Sequence, residues 1–438
     1  MRILLNTLYV TTPEAYLSKD GLNVVISVKQ NEIFRIPIHN IEQIITFGYM
    51  GASPGLMKLC ADNNVSLTFL SPQGRYISRS QGPTRGNVLL RKAQYKNSDE
   101  PNYALHLSKL FIGGKIQNYR NILRRFIRDN GDDEAIERVC EELLRCKRRV
   151  LNAESIDSVR GIEGEAATAY FGVFSRLLLN QKEDFVFEGR NRRPPKDAIN
   201  AMLSFVYTLI CNDMTSALET VGLDPYVGFM HTLRPGRASL SLDMMEELRA
   251  YLGDRLVLSL INRKQITIKD FIKQGDEGIV MTDSGRKIIL SAWQNRKKEQ
   301  IIHPYLNEKV SIGLLPYVQA MLLARFIRKD LDDYPVFLIK ECMFVVITYD
   351  VNITSAHGAK RLRNVARACL NYGKRVQNSV FECILTESQF FVLRDQLKGI
   401  IDTEQDSIRF YILGKNWKRK VETLGKDMGL DFTGELII

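Results

Sequence analysis

Two changes of hydrophobic period divide the 438-residue chain, and they restrict its fold more than any single motif does. From Met1 to about Gln94 the apolar residues come in short, β-branched, partly alternating runs: NVVISV, FRIPI, QIITFG and VSLTFL. Turn signals at Lys19-Asp20-Gly21 and Pro72-Gln73-Gly74 separate them, and one helix, about Ser53 to Asn63, interrupts the set. From Asn102 the period becomes helical. Leu105, Ile112, Ile116, Tyr119 and Leu123 fall at i, i+7, i+11, i+14 and i+18 and keep one stripe. The Gly113-Gly114 pair inside it argues against a single unbroken helix. Further helices are expected over about 134–150, 162–180, 197–221, 241–261 and 313–329.

At Met343 the texture turns again, as if an independent gene product began there. MFVVITYDV, VQNSVFECIL and SIRFYIL read as strands, and 355–372 and 388–397 as helices. With one strand unplaced, that order fits a βαββαβ, ferredoxin-like pattern. The expected fold is multi-domain α+β: a β-rich N-terminal domain (1–95), an α-helical domain (96–342) and a small ferredoxin-like domain (343–438). Only Glu341 and Cys342 separate the last two, so no Gly/Ser linker joins them.

Apolar residues at 45% and charged residues at 25% are the balance of a globular protein that needs neither disulfides nor metal to bury a core. The net charge of +11 is spread over both parts: 14 basic and 11 acidic residues follow Met343, leaving 47 and 39 before it. Both parts suit the neutralisation of phosphates. The seven cysteines (Cys60, Cys140, Cys146, Cys211, Cys342, Cys369 and Cys383) form no CxxC pair, and no histidine stands at zinc-finger spacing from them. They read as reduced thiols of a cytoplasmic protein. The apolar run of MRILLNTLYV is too short for a signal peptide, and no run of 18 apolar residues predicts a membrane span.

The chemistry concentrates in three stretches. In GIEGEAATAYF, Glu163 shares a helical stripe with Ala167, Tyr170 and Phe174, whereas Glu165 points away. A carboxylate on a core-facing stripe must be paired or bind a cation; a buried Glu–Arg pair is the structural alternative. In GFMHTLRPGRASLSLDMMEELR, His231 sits in a Gly/Pro-interrupted loop, Asp243 and Glu246 project from one face of the next helix, and Glu247 is rotated away. One histidine with two or three carboxylates is a hard ligand set that suits Mg²⁺ or Mn²⁺ better than Zn²⁺. Arg234 and Arg237 lie where a phosphate approaching such a cation would meet them, as phosphoryl transfer requires. The basic loop GRNRRPP adds Arg190, Arg192 and Arg193. On the helix after it, Asn200, Ser204, Tyr207 and Cys211 form a polar stripe, either a buried hydrogen-bond network or part of an active-site wall.

GIEGEAATAYF, GRNRRPPKDAINAMLSFVYTLI and GFMHTLRPGRASLSLDMMEELR, in that order and spacing, resemble the three characteristic blocks of the CRISPR-associated adaptation integrases, the Cas-one family. The similarity covers about residues 1–342. The stretch from Met343, with MFVVITYDV, a basic helix and GKRVQNSVFEC, resembles the small ferredoxin-like adaptation subunit, the Cas-two family. The resemblance implies an enzyme that joins the 3′-hydroxyl ends of captured DNA into a CRISPR repeat by metal-dependent transesterification. Glu163, His231 and Glu246 are then the ligands of Mg²⁺ or Mn²⁺. Asp243 is an outer residue or an alternate ligand, and Arg234 takes the place of a basic residue that meets DNA. Asp350, which ends a strand in the small subunit, is a candidate metal site or a structural cap. Lys360, Arg363 and Arg367 form a basic helical face fit to follow a phosphate backbone. The implied partners are double-stranded DNA and further copies of the chain, associating through the β-rich N-terminal domain and through the small subunit. In the family two integrase dimers flank one dimer of the small subunit, whereas a fusion produces the two in equal number. A metal-dependent endonuclease or branched-DNA resolvase, and a non-catalytic DNA scaffold, are the competing readings.

Overall fold

The computed structural model describes residues 7–413 apart from 13, 42, 49–50, 72–75, 81, 83–87, 192–193, 276–277, 340–341, 353 and 355–356. The chain divides into two compact units, Met1–Arg124 with Asp133–Ile339, and Arg125–Asp132 with Lys340–Ile438.

The first unit begins with strands β1 (Thr7–Val10), β2 (Ala15–Asp20), β3 (Asn23–Val28), β4 (Asn31–Pro37), β5 (Gln43–Phe47), β6 (Gly51–Ala52), β7 (Ser66–Leu70) and β8 (Tyr76–Ser80). They form two four-stranded sheets, in the orders β4-β3-β2-β6 and β1-β5-β7-β8. The β2–β3 hairpin closes through Gly21-Leu22, and Gly21 holds the positive φ of 57° that the first position of such a turn demands. Helix α1 (Pro54–Asp62), capped by the Ser53 hydroxyl, covers Leu17, Ile44 and Leu67, all fully buried.

The helical part of the same unit comprises α2 (Val88–Ser98), α3 (Pro101–Asn130, of which Arg125–Asn130 count with the second unit), α4 (Glu134–Leu151), α5 (Ile156–Gly172), α6 (Ala198–Val221), α7 (Ser239–Leu248), α8 (Arg255–Asn262), α9 (Asp283–Lys298) and α10 (Leu315–Ile327). Two short hairpins, β9 (Phe271–Lys273) with β10 (Ile279–Met281) and β11 (Gln300–Ile302) with β12 (Lys309–Ser311), complete it. The β1-β5-β7-β8 sheet packs on α6, with the Phe47 and Phe205 rings 5.6 Å apart. Despite its glycine pair, α3 is one continuous helix of 30 residues. A methyl at Gly114 would run into Val336 Cγ1, so the glycine is there to admit the 334–339 segment against the helix. α5 stops at Gly172, short of the expected 180, because the chain turns to place Asn180 and Gln181 on the terminal carbonyls of α8. A wide π-helical turn, Arg249–Asp254, joins α7 to α8 without breaking the run.

The second unit contains β13 (Cys342–Asp350), α11 (Gly358–Leu370), β14 (Gly373–Gln377), β15 (Val380–Thr386), α12 (Glu387–Ile400) and β16 (Ser407–Ile412). The sheet runs β14-β15-β13-β16, antiparallel at every pairing. The strand missing from the sequence pattern is β14. VQNSVFECIL breaks at Asn378-Ser379, across which Gln377 pairs with Val380. Val345, Ile347 and Tyr349 alternate onto the face covered by Val365, Cys369, Leu393 and Leu397. Among the described residues, Cys60, Cys140, Cys146, Cys211, Cys369 and Cys383 carry free thiols. Among those residues no helix is long and apolar enough to cross a membrane.

Candidate active site

The loop before α7 is organised by one carboxylate. Asp243, fully buried, accepts from three successive backbone N–H groups: Phe229 at 2.6 Å, Met230 at 3.0 Å and His231 at 2.9 Å. Its Oδ1 also meets Nδ1 of the His231 ring at 2.5 Å. All of its strong acceptor directions are therefore used within the loop, and the ring is held with Nε2 as its remaining nitrogen. Gly228 makes this approach possible, since a Cβ there would lie 2.5 Å from Asp243 Oδ2 and 2.8 Å from the backbone of Ser239.

One turn further along α7, Glu246 is 2% exposed and faces two cations. Its Oε1 pairs with the Arg249 guanidinium at 2.9 Å, and its Oε2 with the Lys115 ammonium at 2.8 Å. The same ammonium is in close contact with Glu163 Oε1. Lys115 comes from α3, is itself 2% exposed, and so binds the two carboxylates from beneath. Burial pushes the Glu246 carboxyl up, but Arg249, Lys115 and His231 together outweigh it and hold the group at about 2. The Lys115–Glu246 contact lacks hydrogen-bond geometry, leaving Oε2 buried without a hydrogen-bond donor. Among the described residues no three His, Cys, Asp or Glu side chains gather closely enough to hold a metal ion; the cation between the two glutamates is Lys115.

Glu247, rotated away from Asp243 and Glu246, does not reach solvent either. It is fully buried and accepts from the Tyr334 hydroxyl at 2.5 Å, Gln319 Nε2 at 3.0 Å and the Phe337 N–H at 2.7 Å, which fixes the 334–337 segment behind the site. Burial pushes its carboxyl up to about 7. Glu165 lies half out of the protein on Arg149.

Behind Glu246 lies an aromatic and ionic stack. The Tyr207 ring has the Arg249 guanidinium 5.1 Å from its centroid and that of Arg190 at 5.4 Å, and its hydroxyl donates to Asp254 at 2.5 Å. Burial pushes Asp254 up to about 6, against the opposing pull of the Tyr207 and Tyr170 hydroxyls and the two arginine charges. Tyr119 and Tyr170 stack at 3.8 Å beside it. Arg190 donates to Asn200 Oδ1 at 2.7 Å and Ser204 Oγ at 3.0 Å. Arg190, Asn200, Ser204 and Tyr207 thus form one half-buried to buried polar network, in which Arg190 is engaged inward.

Of the other expected residues, Arg234 is exposed on a turn closed by the Arg237 N–H to Arg234 carbonyl bond, with Gly236 at φ 72°. Arg237 is half-buried on the same turn. Arg193 lies outside the described residues. In the second unit Lys360, Arg363 and Arg367 are all exposed on one face of α11. Asp350 ends β13, exposed, opposite Ser407. Sequence reasoning missed Lys115, Arg249 and Asp254. The available signal was a lysine between Ile112, Ile116 and Tyr119 on the buried side of α3, where an unpaired ammonium is too costly to keep.

Residues 8–295 match the family described as CRISPR associated protein Cas1, and residues 343–421 that described as CRISPR associated protein Cas2. A CRISPR-associated endonuclease Cas1 of Chlorobaculum tepidum is 50% identical over 337 residues, which span 76% of this chain and 98% of that protein. Another, from Rhodospirillum rubrum, is 48% identical over 342 residues, 76% of this chain and 98% of the relative. Among solved structures, a casposase bound to integration product shares the fold with a TM-score of 0.66 at 22% identity, covering 75% of this chain and 92% of that one.

Proposed function

The chain belongs to the CRISPR-associated Cas1 family and carries a Cas2 domain in the same polypeptide, and from that premise we propose how its buried cluster works. The protein is a CRISPR adaptation integrase, an enzyme of DNA strand transfer and cleavage. The observation that carries the site reading is the convergence of Glu163 and Glu246 on one buried cation beside a histidine clamped at Nδ1. The donor set fits a hard divalent ion: two carboxylate oxygens already face a positive charge, and His231 keeps Nε2 for a further bond. Glu163, Glu246 and His231 would hold Mg²⁺ or Mn²⁺, which when bound supplies charge neutralisation at phosphorus and a more acidic attacking hydroxyl.

In the strand transfer itself, the 3′-hydroxyl oxygen of a captured duplex forms a bond to phosphorus at the edge of a repeat. The bond from that phosphorus to the repeat's own 3′-oxygen breaks, and the departing oxygen takes up a proton. Asp243 acts through His231, fixing its tautomer and direction, and is not itself a ligand in this reading. Arg249 keeps Glu246 ionised and aimed. Arg234, exposed on its turn, and Arg237 beside it meet the non-bridging phosphate oxygens or the flanking backbone.

The domain assignment follows the same reading: 1–95 for dimerisation, 96–342 for catalysis and 343–438 as a ferredoxin-like scaffold that measures and holds DNA. The exposed face of Lys360, Arg363 and Arg367 suits the phosphate backbone of double-stranded DNA, and Asp350 serves as a strand-end cap in preference to a metal site. Further copies of the chain associate through both ends.

Water in place of the 3′-hydroxyl would give cleavage, the activity for which the relatives are named endonucleases. A supercoiled plasmid carrying a CRISPR repeat, offered a labelled duplex with either 3′-hydroxyl or 3′-dideoxy ends, separates the two. Label joined to plasmid with the hydroxyl duplex alone is expected; nicking that ignores the end chemistry, with no joined label, would refute integration.

A further inference from the structure

We propose that Lys115 is a tethered counter-ion that occupies the cation seat between Glu163 and Glu246, so that a divalent ion enters only by displacing it. The inference rests on the reading of those glutamates as ligands and adds how access to them is controlled.

Three observations carry it. First, the ammonium touches the two oxygens a shared cation would need: Glu163 Oε1, and Glu246 Oε2 at 2.8 Å. Arg249 holds the opposite oxygen, Oε1, at 2.9 Å and leaves Oε2 to the seat. Second, Lys115 is 2% exposed on the buried side of α3, so its charge has no route to water while the carboxylates hold it. A divalent ion about 2.1 Å from the same oxygens would stand against the ammonium, and two unscreened positive charges at that range repel strongly. Third, the ammonium has somewhere to go. The Tyr119 ring lies one helical turn along α3 with its centroid 5.7 Å from Nζ, and it is fixed by stacking on Tyr170 at 3.8 Å. A lysine stem is flexible enough to swing onto that face and keep its charge against the ring.

Without Lys115, Glu163 and Glu246 would face each other at a mostly buried position, with less positive charge beside them to compensate the pair. Lys115 therefore keeps the ligand set assembled in the resting protein and lowers its affinity for a free divalent ion. It is a positioning residue, acting through the glutamates.

The test is Mn²⁺ binding to the full-length chain without DNA, read from the paramagnetic resonance signal of free Mn²⁺. Lys115→Met is expected to bind at least about tenfold tighter than the unaltered chain, and Lys115→Arg no tighter than it. The thermal midpoint of Lys115→Met should fall in chelator and recover with Mn²⁺. Equal or weaker binding by Lys115→Met, with binding still abolished by Glu246→Gln, overturns the counter-ion and leaves the metal site standing. Binding indifferent to Glu246→Gln overturns both. Lys115→Gln makes the same comparison if the Met variant does not fold.

Discussion

Replacing Asp243 by Asn removes one charge and turns one of its two oxygens into a donor. The structure offers no place for that donor. Oδ2 receives the N–H groups of Phe229 and Met230, and Oδ1 receives the N–H of His231 and its ring Nδ1. With the amide nitrogen toward Phe229 and Met230, two backbone donors face a third donor in a site with no solvent access. With it toward His231, the ring loses its charged partner. Each buried donor left without an acceptor costs about 1–3 kcal/mol, so a loss of about 3–5 kcal/mol in unfolding free energy is expected for the unit containing the site. Strand transfer should fall by about 10–100-fold, the usual effect of losing the group that orients a ligand histidine. Chemical unfolding of the full chain, with strand transfer measured on the same preparations, gives both quantities. Stability within about 1 kcal/mol of the parent together with intact activity would refute Asp243 as the residue that shapes this loop.

Gly114→Ala is expected to destabilise the first unit, because the added methyl meets Val336 Cγ1 on a segment pinned by Glu247; an unchanged unfolding midpoint would contradict the close approach. Glu247, raised from 4.5 to about 7, contributes stability that is whole below about pH 4.5 and fades as pH rises through 7. Glu247→Gln cannot ionise, so its stability relative to the parent should improve by about 3 kcal/mol between pH 4.5 and 8, and a difference independent of pH would contradict the shift. Glu246, held at about 2, has the opposite sign: its contribution is present above 4.5 and is lost as pH falls toward 2. Changing Lys360, Arg363 and Arg367 together to Gln should weaken duplex binding and reduce the salt slope by up to about 3, while a full-strength slope would remove this face from the DNA path.

The sequence made the architecture legible wherever period and turn chemistry agreed. NVVISV is β3, QIITFG and VSLTFL contain the whole of β5 and β7, and the Ser53 cap marks α1. The architecture was less legible at two hairpin turns, one without typical turn residues and one whose short Asn-Ser signal lies inside an apolar run. Lys29-Gln30 close the β3–β4 hairpin with φ of 50° and 69°, and Asn378-Ser379 split what looked like one strand. In the site, Glu163 stood out as a carboxylate on a core-facing stripe and Glu246 as one of two acidic residues on a single helix face, and the structure brings both glutamates to one cation. Lys115 was illegible because its partners lie 48 and 131 positions away in sequence, and local periodicity shows only that a charge is out of place. Glu247 is rotated away from Asp243 and Glu246 as its position implies, but its burial was not legible, because its partners Gln319, Tyr334 and Phe337 come from about 70–90 residues further on. Arg190 sits in a loop whose composition suggests exposure, and only the inward stack on Tyr207 shows how it is used.

The most direct measurement is strand transfer by the full-length protein and by Glu246→Gln and His231→Ala, with a 3′-hydroxyl duplex, a supercoiled repeat target and Mg²⁺ or Mn²⁺. Joined product is expected from the parent, with loss of at least about a thousandfold from each variant and duplex binding retained. Joined product at parental rates from either variant would show that the chemistry lies outside the cluster of Glu163, His231 and Glu246.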